Sequence, residues 1–450
     1  MRDAAVTESP RPMYGSVAYV LKAYPRLSET YILSEIHRLE RLGLALRIYS
    51  LKSVEPEERG AHHGVIDRIR AEPVYLPAVD TVSGTSLARW LLANGGPFVR
   101  PLTRVLRRWP AGTARAARAA FAQALRAREN WYSPPRKIYL KEFLQAVALS
   151  DQLRSAPDVR LLHAHYAHST ATVAWLAGQI TGLPFSFTAH AKDVYSESLN
   201  PAGLLRRKLL AARFALTCTR AGAEHLRGLA PGARVHLVYH GLNDDLQRFA
   251  AGEAGSRTAA RNGTLRMLGV GRLVEKKGFD TLIDACAALR REGVPFEATI
   301  AGPDGPHGEV VRRLIDAHGL AEQIRLTGPM SQQELFGEYL KADAFCLPCR
   351  IVGSDRDGIP NVLVEAMACG TPAISTGISG IPELISDGAD GMLVTPNDPT
   401  GLAAALRRLH EDHALAARLG AAGRATVIAR FDGDRLAEQL ADLFRAEVAR

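Results

Sequence analysis

A chain of 450 residues with 47% hydrophobic and 23% charged content is too long for one core and too apolar for a disordered protein, so two globular domains are expected. No run of about 18 apolar residues occurs, which excludes a membrane-spanning helix, and five cysteines do not make a disulfide framework. The net charge of +9 is held almost wholly by one segment, which leaves the remainder close to neutral.

Residues 1–13 read as a disordered tail without an apolar signal core, which suits a cytoplasmic chain. From residue 14 strand-like and helix-like segments alternate, the pattern of parallel sheets flanked by helices. SVAYVL (16–21) is a buried strand, followed by a helix with Ile32, Leu33, Ile36, Leu39 and Leu42 on one face, then LRIYSL (46–51). RLLHAHYA (160–167), a helix over 169–181, PFSFTAH (184–190), ALTCT (215–219) and VHLVYHG (235–241) complete a first domain at 14–250.

Within it lies a basic helical insert at about 85–137, with eleven Lys+Arg, one acid (Glu129) and three of the four tryptophans, Trp90, Trp109 and Trp131. Two readings stand for it: an insert whose arginines are solvated, or one that contacts an anionic membrane surface, where arginine finds phosphate and indole the interface. Nucleic acid is not an expected partner, because no nucleic-acid motif is present. Residues 251–264 are a Gly-, Ala- and Thr-rich linker. A second domain at 265–430 has strands within 265–273, 296–305, 324–330, 344–350, 372–380 and 390–395. Residues 431–450 form a terminal helix. Cys346 and Cys349 form a CxxC without a second pair, so they read as ordinary reduced cysteines and no metal is expected.

The chemistry concentrates in DGIPNVLVEAMACGTPAISTGISGIPELI (357–385). Asp357 lies in a loop, Pro360 and Asn361 suit a helix start, and Gly370 and Pro372 stop the helix. Glu365 then sits on the second turn. Free amides between two acids suit a ligand with both phosphate and hydroxyls, as a nucleotide sugar has. GRLVEKKG (271–278) follows a strand and precedes a helix, so Arg272 and Lys277 would flank the same cleft. Preorganised cations stabilise a leaving diphosphate.

These two segments resemble the signatures of the retaining glycosyltransferases of family 4, in which an acid-x7-Glu pair follows a GRL…KG octet; the first acid is Asp here. YPRLSETYI (24–32) resembles the subgroup of bacterial exopolysaccharide and colanic-acid-type enzymes, where it replaces a Gly-rich loop. HGLNDDLQRF (240–249) is two residues longer than the family's usual stretch. The resemblance is strong over 265–400, moderate over 14–50 and 160–245, and absent over 52–150. It implies an α/β, GT-B fold of two Rossmann-like domains whose parallel sheets face across a cleft. The first domain would take the acceptor, and the terminal helix would pack back on it.

The activity implied is retaining transfer of a sugar from a nucleotide diphosphate, of UDP or GDP type, to a saccharide or lipid-linked acceptor in bacterial surface or exopolysaccharide synthesis. No cofactor or metal is implied. His190, Asp357, Arg272 and Lys277 carry the reaction. Gly358, Ile359, Pro360, Asn361, Glu365, Gly302, Gly328 and Met330 hold the donor. Ser28, Glu29, Thr30, His165 and Asp193 lie on the acceptor side. The site would be cytoplasmic, at the inner face of the membrane. The rival readings are a nucleotide-sugar 2-epimerase of the same fold, and a non-catalytic membrane scaffold.

Overall fold

The computed structural model describes residues 15–26, 29–53, 64–82, 84, 86–251 and 263–449. The tail at 1–13 and most of the linker lie outside them. Two sheets, all of whose paired strands run parallel, account for the expected α/β class. The first holds β1 (Ser16–Leu21), β2 (Leu46–Ser50), β3 (Pro73–Tyr75), β4 (Val159–His165), β5 (Phe185–Ala189), β6 (Ala215–Thr217) and β7 (Val235–Leu237), in the order β3-β2-β1-β4-β5-β6-β7. The second holds β8 (Leu265–Val270), β9 (Phe296–Ala301), β10 (Ile324–Gly328), β11 (Ala344–Leu347), β12 (Ala373–Thr376) and β13 (Met392–Val394), in the order β10-β9-β8-β11-β12-β13.

Central strands are covered by helices on both faces, so they read as continuous apolar runs; every residue of β1 is buried. In each sheet the strand order reverses, between β1 and β4 and again between β8 and β11. Ligands of open parallel sheets settle outside the C-terminal ends of such reversal strands. GRLVEKKG leaves β8, and the loop carrying Asp357 leaves β11. The reversal point of the second sheet therefore joins the two motifs.

The insert is three helices, Leu87–Asn94, Gly96–Arg108 and Pro110–Arg126, and the helix Ile138–Leu153 follows it. Trp90, Phe98, Val105, Ala116 and Ala120 turn inward onto the first core, which fixes the layer in place. The terminal helix Gly433–Val448 lies on the first domain: Phe444 is fully buried, its ring meeting Tyr19, His163 and Phe214. Arg38 holds its start through Asp434, and Arg213 its end through Glu447.

Candidate active site

Gly278 explains how the two motifs of the second domain meet. Its φ of +70° is open to glycine, and a Cβ there would lie 2.0 Å from the Pro348 carbonyl oxygen. The loops after β8 and β11 thus pack backbone to backbone. Lys277 Nζ lies 2.7 Å from Asp357 Oδ2, while Lys276 Nζ lies 3.2 Å from Asp357 Oδ1 and 2.9 Å from Asp355. Burial pushes the Asp357 carboxyl up, but Lys277 and Lys276 outweigh it and hold the group below its ordinary value. Burial likewise disfavours the Lys277 ammonium, and Asp357 more than restores it. The result is a charged pair held between the loops that leave β8 and β11. Arg272 is exposed and lies near enough to act on the charge of Lys277.

Pro360 is the N-cap, at φ −62° and ψ 124°, and the helix runs Asn361–Ala368. Glu365 Oε2 accepts from Tyr339 Oη at 2.9 Å; burial pushes the carboxyl up and Tyr339 partly opposes it. With Asn361 and Val364 it lines a cleft of about 320 Å³, open mouth included, whose far wall is Thr30, Tyr31, Ser34 and the 240–243 loop. Gly302 and Gly328 end β9 and β10 and are bonded amide to carbonyl at 2.8 Å, on the same rim as Arg272. Met330 packs half-buried against the second core.

The first-domain wall is ringed by histidines. His190 stacks on His165 and His240 and meets Tyr31 and Tyr166 at a tilt, with centroids 4.7–5.8 Å away. Burial and then His240 hold the His190 imidazole well below its ordinary value, so it is neutral.

Two residues assigned to the acceptor side turn away from it. Asp193 accepts the amides of His190, at 3.0 Å, and Ala167, so its carboxylate shapes the loop under His190. His165 is fully buried and spends Nε2 on Glu35 at 3.0 Å, behind His190. Glu29 is buried beside Arg26, 2.6 Å away, and Thr30 reaches the cleft. Ser28 lies outside the described residues.

The two domains touch. A Cβ on Gly358 would sit 3.1 Å from Thr219 and 3.7 Å from Ala191 of the first domain. Glu383 of the second domain accepts Arg220 N at 2.6 Å, Ala221 N at 2.9 Å and Tyr239 Oη at 3.0 Å, capping a first-domain helix. Lys276, Tyr339, His240 and Glu383 were not read from the sequence as site residues. Lys276 had a signal, being the other half of a Lys-Lys pair; Tyr339 had none, since a tyrosine on an amphipathic helix ordinarily means core.

The family described as "Glycosyl transferases group 1" matches residues 256–426. A D-inositol 3-phosphate glycosyltransferase of Salinispora arenicola is 30% identical over 337 residues, 68% of this chain and 73% of that protein. The chain belongs to the group 1 glycosyl transferases. A putative colanic acid biosynthesis glycosyltransferase, WcaL of Salmonella typhimurium, is 40% identical over 184 residues, 40% of this chain. That match spans less than half of the relative, 45% of its length. The structure of Anabaena Alr3699/HepE in complex with UDP and glucose superposes with a TM-score of 0.64 at 16% identity, covering 96% of this chain and 99% of that one. At that identity the likeness speaks for the fold, and the GT-B expectation is met.

Proposed function

We infer that this group 1 glycosyl transferase moves a sugar, with retention, from a nucleotide diphosphate sugar to an acceptor hydroxyl in bacterial polysaccharide synthesis. The observation that carries the reading is the Lys277–Asp357 pair at the reversal point of the second sheet, with Glu365 on the helix that follows, lining a cleft whose other wall holds Thr30, Tyr31 and His240. In this reading Lys277 and Arg272 hold the diphosphate, Glu365 accepts the ribose hydroxyls, and Asp357 accepts hydroxyls of the sugar. Gly302, Gly328 and Met330 border the base. The name of the WcaL relative supports a polysaccharide product, and the UDP in the HepE structure supports a nucleotide donor.

Retention here needs no carboxylate nucleophile. Asp193 is spent on amides and Glu29 on Arg26, and His190 is neutral. The acceptor oxygen then attacks C1 on the face that the diphosphate leaves. The C1–O bond to phosphate breaks as the new C1–O bond forms, and the acceptor proton passes to the departing phosphate oxygen. The cations beside Lys277 stabilise the charge that develops there, with no metal required.

The test is steady-state kinetics. Lys277→Ala removes a contact that strengthens as charge reaches the diphosphate, so kcat falls more than donor affinity. Glu365→Ala removes a ground-state contact, so donor KM rises instead. Each effect is about 2–4 kcal/mol, one to three decades. Turnover by both variants at the wild-type kcat and KM contradicts the reading.

The acceptor is proposed to be lipid-linked, presented at an anionic membrane face to the basic insert. Leu92, Trp131, Tyr132, Phe121 and Val99 are exposed there, at 88, 83, 73, 62 and 61%. Side chains so exposed beside Arg100, Arg107 and Arg108, which have no acidic partner among the described residues, suit a headgroup boundary.

A further inference from the structure

Two groups of donors among the described residues have the spacing of a metal site, and their hydrogen bonds separate them. In the group of Glu35, His163 and His165 the imidazole nitrogens are largely engaged. His163 Nδ1 lies 2.8 Å from Ser186 Oγ and Nε2 3.1 Å from Thr188 Oγ1, and His165 Nε2 meets Glu35. In the group of His190, Cys218 and His240 the ligand atoms lie within 4.8 Å of one another, and the Nε2 atoms of both histidines are buried without a hydrogen-bond partner. A buried polar atom left unpaired costs about 1–3 kcal/mol, so two side by side point to a missing ligand.

Their placement is set by the fold. The three residues follow β5, β6 and β7, adjacent strands of the first sheet, so one sheet edge presents them together. The rings of His190 and His240 lie nearly parallel, 5.3 Å apart at 18°. Cys218 and His240 open onto a small cavity shared with Ile359 and Asn361 of the second domain.

We propose that His190, Cys218 and His240 form a binding site for a soft divalent cation of the zinc class, and that the bound ion excludes the nucleotide sugar and inhibits turnover. Two imidazoles and a thiolate are a zinc-type donor set, with metal distances of about 2.0–2.1 Å to nitrogen and 2.3 Å to sulfur and a fourth position left to water. The donor atoms would draw together to roughly 3.3–3.8 Å, a movement within side-chain rotation. Burial pushes the Cys218 thiol up to about 12, so it is neutral until the ion binds; coordination then releases its proton to solvent. Burial holds the His240 imidazole down to about 4, which leaves its lone pair free at neutral pH. The ion would stand in the cavity that Ile359 and Asn361 share. Exclusion of the donor rests on the transferase reading; binding of the ion does not.

The probe is Co²⁺ added to the purified full-length chain under reducing conditions, followed by Zn²⁺ displacement. The expected result is one equivalent of Co²⁺ with a thiolate charge-transfer band in the near ultraviolet. Cys218→Ser abolishes the band and weakens Zn²⁺ binding at least about tenfold, the scale known for losing even a supporting residue. His240→Gln, checked for native circular dichroism, weakens it similarly. In assays Zn²⁺ inhibits wild type competitively against the donor, while Cys218→Ser turns over but is no longer inhibited. Absence of the band in wild type overturns the site, as does a band that survives Cys218→Ser or vanishes in Cys346→Ser. A cobalt site with turnover indifferent to Zn²⁺ overturns the inhibition.

Discussion

Lys277 is held by a carboxylate that, in the proposed complex, also serves the sugar. Without an anion in the cleft, Asp357 neutralises it at 2.7 Å; an incoming diphosphate shares the ammonium, and Lys276 remains to balance Asp357. The neighbourhood of these residues was legible because residue type and spacing mark it: an acid, seven residues and a glutamate, with a lysine directly before a forced glycine turn. Asp193 was misread because sequence cannot say which way a carboxylate turns. The amides of His190 and Ala167 capture it from behind.

His163 gives the residue scale a pH test. Burial, then His165, lowers its imidazole to about 3 from the ordinary 6.5, with Glu35 opposing. The unfolded chain takes up this proton near 6.5 and the folded chain does not until about 3. Stability from this group is therefore complete above pH 6.5 and is lost as pH falls from 6.5 toward 3, by up to about 1.4 kcal/mol per unit. Urea unfolding at pH 7.5 and 5.5 should show this loss, and His163→Asn should have a shallower slope by that amount. An unchanged slope would contradict the assignment.

At the scale of elements, the twelve strands read from the sequence are apolar runs that end in Gly- or Pro-containing turns. The thirteenth, β3, escaped notice because PVY is three residues on an edge, with Val74 and Tyr75 exposed. The partners of the terminal helix were beyond sequence, since an amphipathic pattern names a buried face but not what covers it. Its anchor is Phe444, so Phe444→Ala should lower unfolding free energy by about 3–5 kcal/mol. Denaturant titration reads this directly, and a loss below about 1 kcal/mol would show that the helix is not held there.

The insert calls for a choice among its arginines. Arg104 is engaged with Asp151 at 2.5 Å and supports the helix layer. Among the described residues Arg100, Arg107 and Arg108 have no acidic partner, and Arg108 lies over Trp109. The protein should therefore co-sediment with anionic vesicles and be released as salt rises, and replacing Arg100, Arg107 and Arg108 with Ala should weaken that binding. Sedimentation indifferent to lipid charge would leave the arginines solvated only.

At the scale of the whole molecule, two sheets of like design bring their reversal points to one cleft. The alternation of strands and helices made both sheets visible in the sequence. The seal between them was not visible: Glu383 lies within a motif stretch, yet its partners Arg220, Ala221 and Tyr239 are some 140–165 residues away. Only the folded chain makes that carboxylate a helix cap. In the proposed complex a nucleotide diphosphate sugar sits between GRLVEKKG and the Asn361–Ala368 helix. Calorimetric titration of UDP- and GDP-sugars into wild type and Glu365→Ala tests it most directly. One donor should bind wild type at one equivalent, and Glu365→Ala should bind that donor more weakly by roughly one to three decades. Equal affinity in the two proteins, or no nucleotide sugar bound by wild type, would contradict the claim.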